Sequence, residues 1–135
     1  MVKVLLADDE TIFTLPVGDF LEDEGFEVVR VASAVEVLDR AAAADVLVID
    51  ARLPSSKYEG VDSVGKLLRS NRIRKDVPII FISVDPDTDE GPAAALQQCK
   101  IPAGRYRWLT KPFEHTRLAT TINSELTRLR GNHGH

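Results

Sequence analysis

Short apolar runs alternate with helical patterns five times along the chain, which predicts a doubly wound α/β fold around a five-stranded parallel sheet. The strand runs are apolar on consecutive positions (Val46-Leu47-Val48-Ile49 and Ile79-Ile80-Phe81-Ile82). Strands buried on both faces read in this way, so helices are expected on both sides of the sheet. Four of the runs also end in residues suited to holding a phosphate or a divalent cation. Val2 to Ala7 leads into Asp8-Asp9, Val46 to Ile49 into Asp50, Ile79 to Ile82 into Ser83, and Tyr106 to Leu109 through Thr110 into Lys111-Pro112. If the runs are neighbouring parallel strands, three carboxylates, a hydroxyl and an ammonium meet at the carboxyl edge of one sheet, where open α/β folds bind ligands.

The elements follow in order. The first helix, from about Thr11 to Glu24, contains Pro16 and Gly18, so a kink or a late start is expected. Glu24-Gly25 stops it before the second strand, Phe26 to Val31. Ser33-Ala34-Val35-Glu36 is a capping-box pattern that opens a helix burying Val37, Leu38 and Ala41. The third helix, Val61 to Ser70, places Val61, Val64, Leu67 and Leu68 on one face. The fourth, Ala93 to Lys100, is short, with Pro92 expected at its first position and Cys99 as a packing residue. The last, Glu114 to Arg130, carries the stripe Leu118, Ile122, Leu126, Leu129 and ends at Gly131.

The bulk properties narrow the function. The 135 residues suffice for one ordinary domain, and 44% hydrophobic with 28% charged residues is a globular composition. A net charge of −4 speaks against direct nucleic-acid binding. A lone Cys99 excludes an internal disulfide and suits a reducing compartment. No apolar stretch approaches the roughly 18 residues a membrane span needs. The expectation is a cytoplasmic protein with no membrane partner, one domain over 1–130 and a tail over 131–135. His133 and His135 in that tail are two imidazoles without a third ligand, a weak metal signal.

Asp8, Asp9 and Asp50 together repel one another unless a cation or a proton intervenes. An oxygen donor set of this kind suits Mg²⁺. With the Lys111 ammonium and the Ser83 hydroxyl added, the set matches what a phosphoryl group needs during transfer. The nucleophile would be a carboxylate, since no Cys or His lies at these edges. Taken singly, each residue has a plainer reading: Asp8 or Asp9 as a helix cap, Asp50 as a turn former, Ser83 and Lys111 as solvated loop groups. Their joint occurrence at strand ends is what singles them out. Trp108 reads equally well as a packing aromatic. The basic residues Arg69, Arg72, Arg74 and Lys75 read as a solvated helix end, and Arg105 and Arg107 flank Trp108 without a clear task.

Ala7-Asp8-Asp9-Glu10, Asp50-Ala51-Arg52-Leu53-Pro54, Ser83 and Thr110-Lys111-Pro112-Phe113 resemble, in order and over nearly the whole chain, the receiver domains of two-component response regulators. The resemblance implies a flavodoxin-like (βα)5 three-layer sandwich with strand order 2-1-3-4-5. It implies Asp50 as phosphoacceptor, with Asp9 and Asp50 as carboxylate ligands of Mg²⁺, Asp8 acting through water and the Arg52 carbonyl completing the set. Lys111 would pair with the phosphoryl oxygens, and Ser83 would move to bond one of them. Trp108 would stand at the switch-aromatic position, and the peptide bond before Pro112 would be cis. The implied partners are a sensor histidine kinase or histidine phosphotransfer protein and a downstream protein effector. A weak homodimer through the face of the fourth helix, last strand and last helix is also implied. Such a protein is no enzyme beyond catalysing its own phosphoryl transfer and dephosphorylation.

The chain departs from that pattern in places. Gly60 follows Pro54 by six positions where the family has four, an insertion within Ser55 to Glu59. Val84 replaces the usual small residue, the Ser83 to Lys111 interval is long, and Trp108 is larger than the usual Tyr or Phe. These departures motivate a competing reading, a degenerate receiver that docks proteins independently of phosphorylation. A haloacid dehalogenase is disfavoured because Arg52 stands where that family needs a second Asp. A flavodoxin is disfavoured because the first βα turn offers carboxylates in place of a phosphate cradle. Arg52 and Asp85, each two residues past a site residue, are expected to form an ion pair across the site.

Overall fold

The computed structural model describes residues 1–53 and 57–131. The strands are β1 (Lys3–Ala7), β2 (Glu27–Val31), β3 (Val46–Asp50), β4 (Ile79–Ser83) and β5 (Arg107–Thr110). The helices are α1 (Thr11–Asp23), α2 (Ala34–Arg40), α3 (Glu59–Arg69), α4 (Glu90–Gln98) and α5 (His115–Arg130). All four strand pairings are parallel, in the order β2-β1-β3-β4-β5.

Every residue of β3 and β4 is buried. Side chains alternate between faces along a strand, and two cores result. Leu5, Leu47, Ile49, Ile79 and Phe81 pack with Val37, Val61, Val64, Leu67 and Leu96 beneath α2, α3 and α4. Val4, Leu6, Val48, Ile80 and Ile82 pack with Val17 and Leu21 of α1 and Leu118 and Ile122 of α5. This two-sided burial is why the strand sequences show no polar alternation.

Several helix ends depart from expectation. Helix α1 begins at Thr11 with Pro16 inside it, so of the two expected outcomes, a kink or a late start, the late start does not occur. The N–H groups of Phe13 and Thr14 already bond the Glu10 carbonyl, and burial of Thr14, Val17 and Leu21 opposes the proline penalty. Gly18 leaves room for Arg30, whose guanidinium a Cβ would strike. The stop at Gly25 is a Schellman motif. Its φ is +97, its N–H bonds Glu22 O at 3.0 Å, and the Phe26 N–H bonds Leu21 O at 3.1 Å. Helix α4 starts at Glu90, which puts Pro92 third instead of first. The first helical bond is donated by Ala93 to Asp89 O, so the N–H that proline lacks is never needed. Helix α3 starts two residues earlier than expected, at Glu59.

The Ser33 cap is present: its Oγ accepts the Glu36 N–H at 3.2 Å, while Glu36 Oε1 accepts from Ala32 N–H and Ser33 Oγ–H. Cys99 is buried in the first core. The insertion within Ser55 to Glu59 falls partly, and the tail with His133 and His135 falls almost wholly, outside the described residues.

Candidate functional site

The β1, β3, β4 and β5 carboxyl ends adjoin because β1, β3, β4 and β5 are successive neighbours in the sheet. In-register pairing aligns Asp50 with Ile82 and Ser83 with Thr110. Backbone bonds tie the strand ends to the turns beyond them. Ala51 N–H bonds Ile82 O at 2.9 Å, and Lys111 N–H bonds Ser83 O at 2.7 Å. Gly60 packs directly on the end of β3, where a Cβ would strike the Asp50 carbonyl.

One carboxylate oxygen from each of Asp8, Asp9 and Asp50 lies within 4.8 Å of the other two. Asp8 and Asp50 are buried, while Asp9 is exposed. Asp8 does not cap α1; its Oδ1 accepts the Glu10 N–H at 2.9 Å and so shapes the turn before the helix. Asp50 Oδ1 accepts the Arg52 N–H at 3.0 Å, so its turn-forming reading and its place in the cluster both hold. Lys111 Nζ reaches Asp8 Oδ2 at 2.8 Å, Glu10 Oε1 at 3.4 Å and Asp50 Oδ2 at 3.6 Å. It also sits 4.3 Å from the centre of the Phe13 ring. The Lys111–Pro112 peptide bond is cis.

Burial pushes the Asp50 carboxyl up to about 6, and the charges of Asp8 and Asp9 add to the shift against the Arg52 N–H and Lys111. Burial acts on Lys111 in the opposite sense and would lower it. Its bond to Asp8 and the charges of Asp50 and Glu10 outweigh that, and the ammonium is held above its usual range. The Lys111 ammonium thus faces the carboxylates of Asp8, Glu10 and Asp50, with Asp9 clustered against Asp8 and Asp50. The uncompensated charge and the hard oxygen donors fit Mg²⁺.

Ser83 is buried, and its Oγ accepts the Asp85 N–H at 3.1 Å, which leaves the hydroxyl hydrogen available to a ligand. Trp108 is half-buried on Phe81, with centroids 5.6 Å apart, and its Nε1–H donates to Asp85 O at 2.8 Å. The expected Arg52–Asp85 pair is present, with Arg52 Nε donating to Asp85 Oδ2 at 2.8 Å and Nη2 at 2.6 Å from the same oxygen.

The chain matches the model of the response regulator receiver domain over residues 4–123. The chain belongs to that family. The receiver protein from Sinorhizobium medicae is 31% identical, with a TM-score of 0.72 over 95% of this chain and 96% of that one. A CheY-like receiver from Methanospirillum hungatei shares the fold, with a TM-score of 0.78 at 21% identity over 96% of this chain and 97% of that one. Among curated relatives, the transcriptional regulatory protein PdtaR of Mycobacterium tuberculosis is 27% identical over 95% of this chain and 58% of its own length. This receiver chain therefore spans little more than half of that relative.

Three site neighbours carried no assigned role from the sequence. Glu10 lies inside the acidic motif, so its charge was a signal. Phe13, under the Lys111 ammonium, and Tyr58, whose Oη donates to Asp85 Oδ2, reach the site through space, with no local pattern to mark them. The flanking arginines of Trp108 have structural tasks: Arg105 donates to Val77 O at 2.7 Å, and Arg107 pairs with buried Glu125 at 3.2 Å. Arg69, Arg72 and Arg74 are likewise engaged, with Cys99 O, Leu38 O and Asp45 respectively. Among the described residues, no helix is long and apolar enough to cross a membrane.

Proposed function

We propose that this receiver domain is a phosphorylation switch in which Asp50 takes a phosphoryl group from the histidine of a kinase or phosphotransfer partner. The observation that carries the reading is the Asp50 carboxyl itself, buried at the end of β3 and 3.6 Å from Lys111 Nζ. With its pKa near 6, it is mostly ionised and nucleophilic at neutral pH. An Asp50 oxygen forms the new bond to phosphorus as the donor's P–N bond breaks, and the proton for the leaving imidazole comes from solvent.

Lys111 lies where it can neutralise phosphoryl oxygen charge, and the free Ser83 hydroxyl hydrogen can donate to one of those oxygens. Asp9, Asp50 and the Arg52 carbonyl would hold Mg²⁺, with Asp8 acting through water. The cation supplies charge neutralisation for the transferring group. Movement of Ser83 would be relayed to Trp108 through Asp85, to which both are bonded. The α4-β5-α5 face is the proposed surface for an effector or a second copy, in a cytoplasmic setting. Apart from transferring and losing its own phosphoryl group, the domain is proposed to have no enzymatic activity.

Intact-mass spectrometry after incubation with acetyl phosphate and Mg²⁺ tests this reading. The expected result is one added phosphoryl group in the wild type, none with EDTA and none in Asp50→Asn. An unmodified wild type would favour the docking-module reading instead.

A further inference from the structure

Asp85 holds four groups, three of them from distant parts of the chain, and the phosphoacceptor reading accounts for only two of the four. Its backbone serves the switch: the N–H goes to Ser83 Oγ at 3.1 Å and the carbonyl takes Trp108 Nε1–H at 2.8 Å. Its carboxylate is gripped from the other side. Tyr58 Oη donates to Asp85 Oδ2 at 2.8 Å, and Arg52 Nε donates to the same oxygen at 2.8 Å. Arg52 Nη2 also donates to Tyr58 Oη at 3.3 Å, and the guanidinium carbon stands 5.1 Å from the Tyr58 ring centre.

The Arg52 side chain is 40% exposed. An exposed ion pair on a flexible side chain holds little by itself, because ordering both partners opposes the attraction. The phenol changes this. It offers a short neutral donor to the carboxylate and an aromatic face to the guanidinium, so neither partner is held by charge alone. The phenol is itself seated: a Cβ on Gly91, in the first turn of α4, would lie 3.0 Å from Tyr58 Cε2 and 3.1 Å from its Oη. The absent side chain at Gly91 is what lets the ring lie flush on α4.

We propose that Tyr58 is a positioning residue, the clasp that holds Asp85 on the Arg52 side chain so that Asp85 keeps Ser83 and Trp108 in their resting places. The clasp joins the loop after the proposed phosphoacceptor to the start of α4 and to β5. It deepens the switch reading and rests on it for what releases the clasp, but the resting arrangement is measurable without any phosphodonor.

Trp108 is the one tryptophan in the chain, so its quenching by acrylamide in the full-length protein reports the indole alone. Tyr58→Phe keeps the ring and removes the hydroxyl. It is expected to raise the solvent-open population of the indole by about two- to tenfold, the factor that the loss of one intramolecular hydrogen bond carries. Its thermal midpoint should stay close to wild type. Gly91→Ala keeps the hydroxyl and favours the helix but crowds the ring, so it should raise quenching in the same direction. Wild-type quenching in both variants would overturn the proposal, whether or not Asp85→Ala changes the signal. Should Tyr58→Ala fail to fold, these two substitutions still decide. A wild type that takes up no phosphoryl group would overturn the phosphoacceptor reading, and the quenching comparison would still decide the role of Tyr58.

Discussion

Ionised Asp50 is expected to work against the fold, and Asp50→Asn isolates that effect because it removes the charge while keeping the volume. The carboxyl titrates at about 6 in the folded chain against 3.8 in its ordinary state, with burial the largest cause. A folded pKa raised above the unfolded one means that the stabilising contribution is complete below about pH 4 and is lost as pH rises through about 6. At about 1.4 kcal/mol per pKa unit, the difference corresponds to ~3 kcal/mol at pH 7. Asparagine resembles the protonated acid at every pH, so the variant should be about 2–3 kcal/mol more stable than wild type at pH 7. The advantage should shrink steadily to near zero at about pH 4, where wild-type Asp50 is itself protonated. Urea unfolding followed by far-ultraviolet circular dichroism, in EDTA and in steps across that range, measures the difference directly. No gain at pH 7, or a gain that persists undiminished at the acid end, would refute the assignment of a strained buried charge to Asp50.

Three further outcomes are expected. Asp9→Ala should weaken Mg²⁺ affinity at least about tenfold, as loss of a carboxylate ligand does, and isothermal titration against the wild type checks it. Lys111→Met should lower stability by about 3 kcal/mol at pH 7, because buried Asp8 loses its 2.8 Å cationic partner, and added Mg²⁺ should restore part of the loss in urea titrations. Arg52→Ala and Asp85→Ala should each speed loss of the phosphoryl group from Asp50 by opening the bridge over it. The double variant should be little faster than either, because a joint action is not additive, and fully additive rates followed by phosphate release would contradict the shared bridge.

The strand runs and the acidic residues that end them were legible because both are local. A buried parallel strand must be apolar at consecutive positions, and the residue following it necessarily sits at the sheet's carboxyl edge. Asp8, Asp9, Asp50, Ser83 and Lys111 could thus be placed together before any contact was known. The expected pairing of Arg52 with Asp85 rested on the family resemblance, which sets both positions beside the site, and on their opposite charges. Helix starts were less legible. Glu59 begins a helix after Tyr58, which is no capping residue, the Asp89 that precedes Glu90 makes no side-chain cap bond, and Pro92 occupies a first-turn position at which the missing N–H carries no cost.

Tertiary structure alone decided which side chains complete the site. Tyr58 meets Asp85 across 27 positions and Trp108 meets it across 23, distances over which neither periodicity nor spacing carries information. The arginines beside Trp108 have no task that their neighbours in sequence reveal, yet packing placed Glu125 and the Val77 carbonyl within their reach. Asp50's raised pKa is likewise invisible in its neighbours along the chain. It arises from burial and from two carboxylates on another strand end, and only the assembled sheet brings those three charges within 4.8 Å. Sequence determined which groups stand at the edge of the sheet, because that depends on strand periodicity. Three-dimensional packing decided what each group touches and therefore its charge state, because desolvation and Coulomb interactions depend on distance through space and not along the chain.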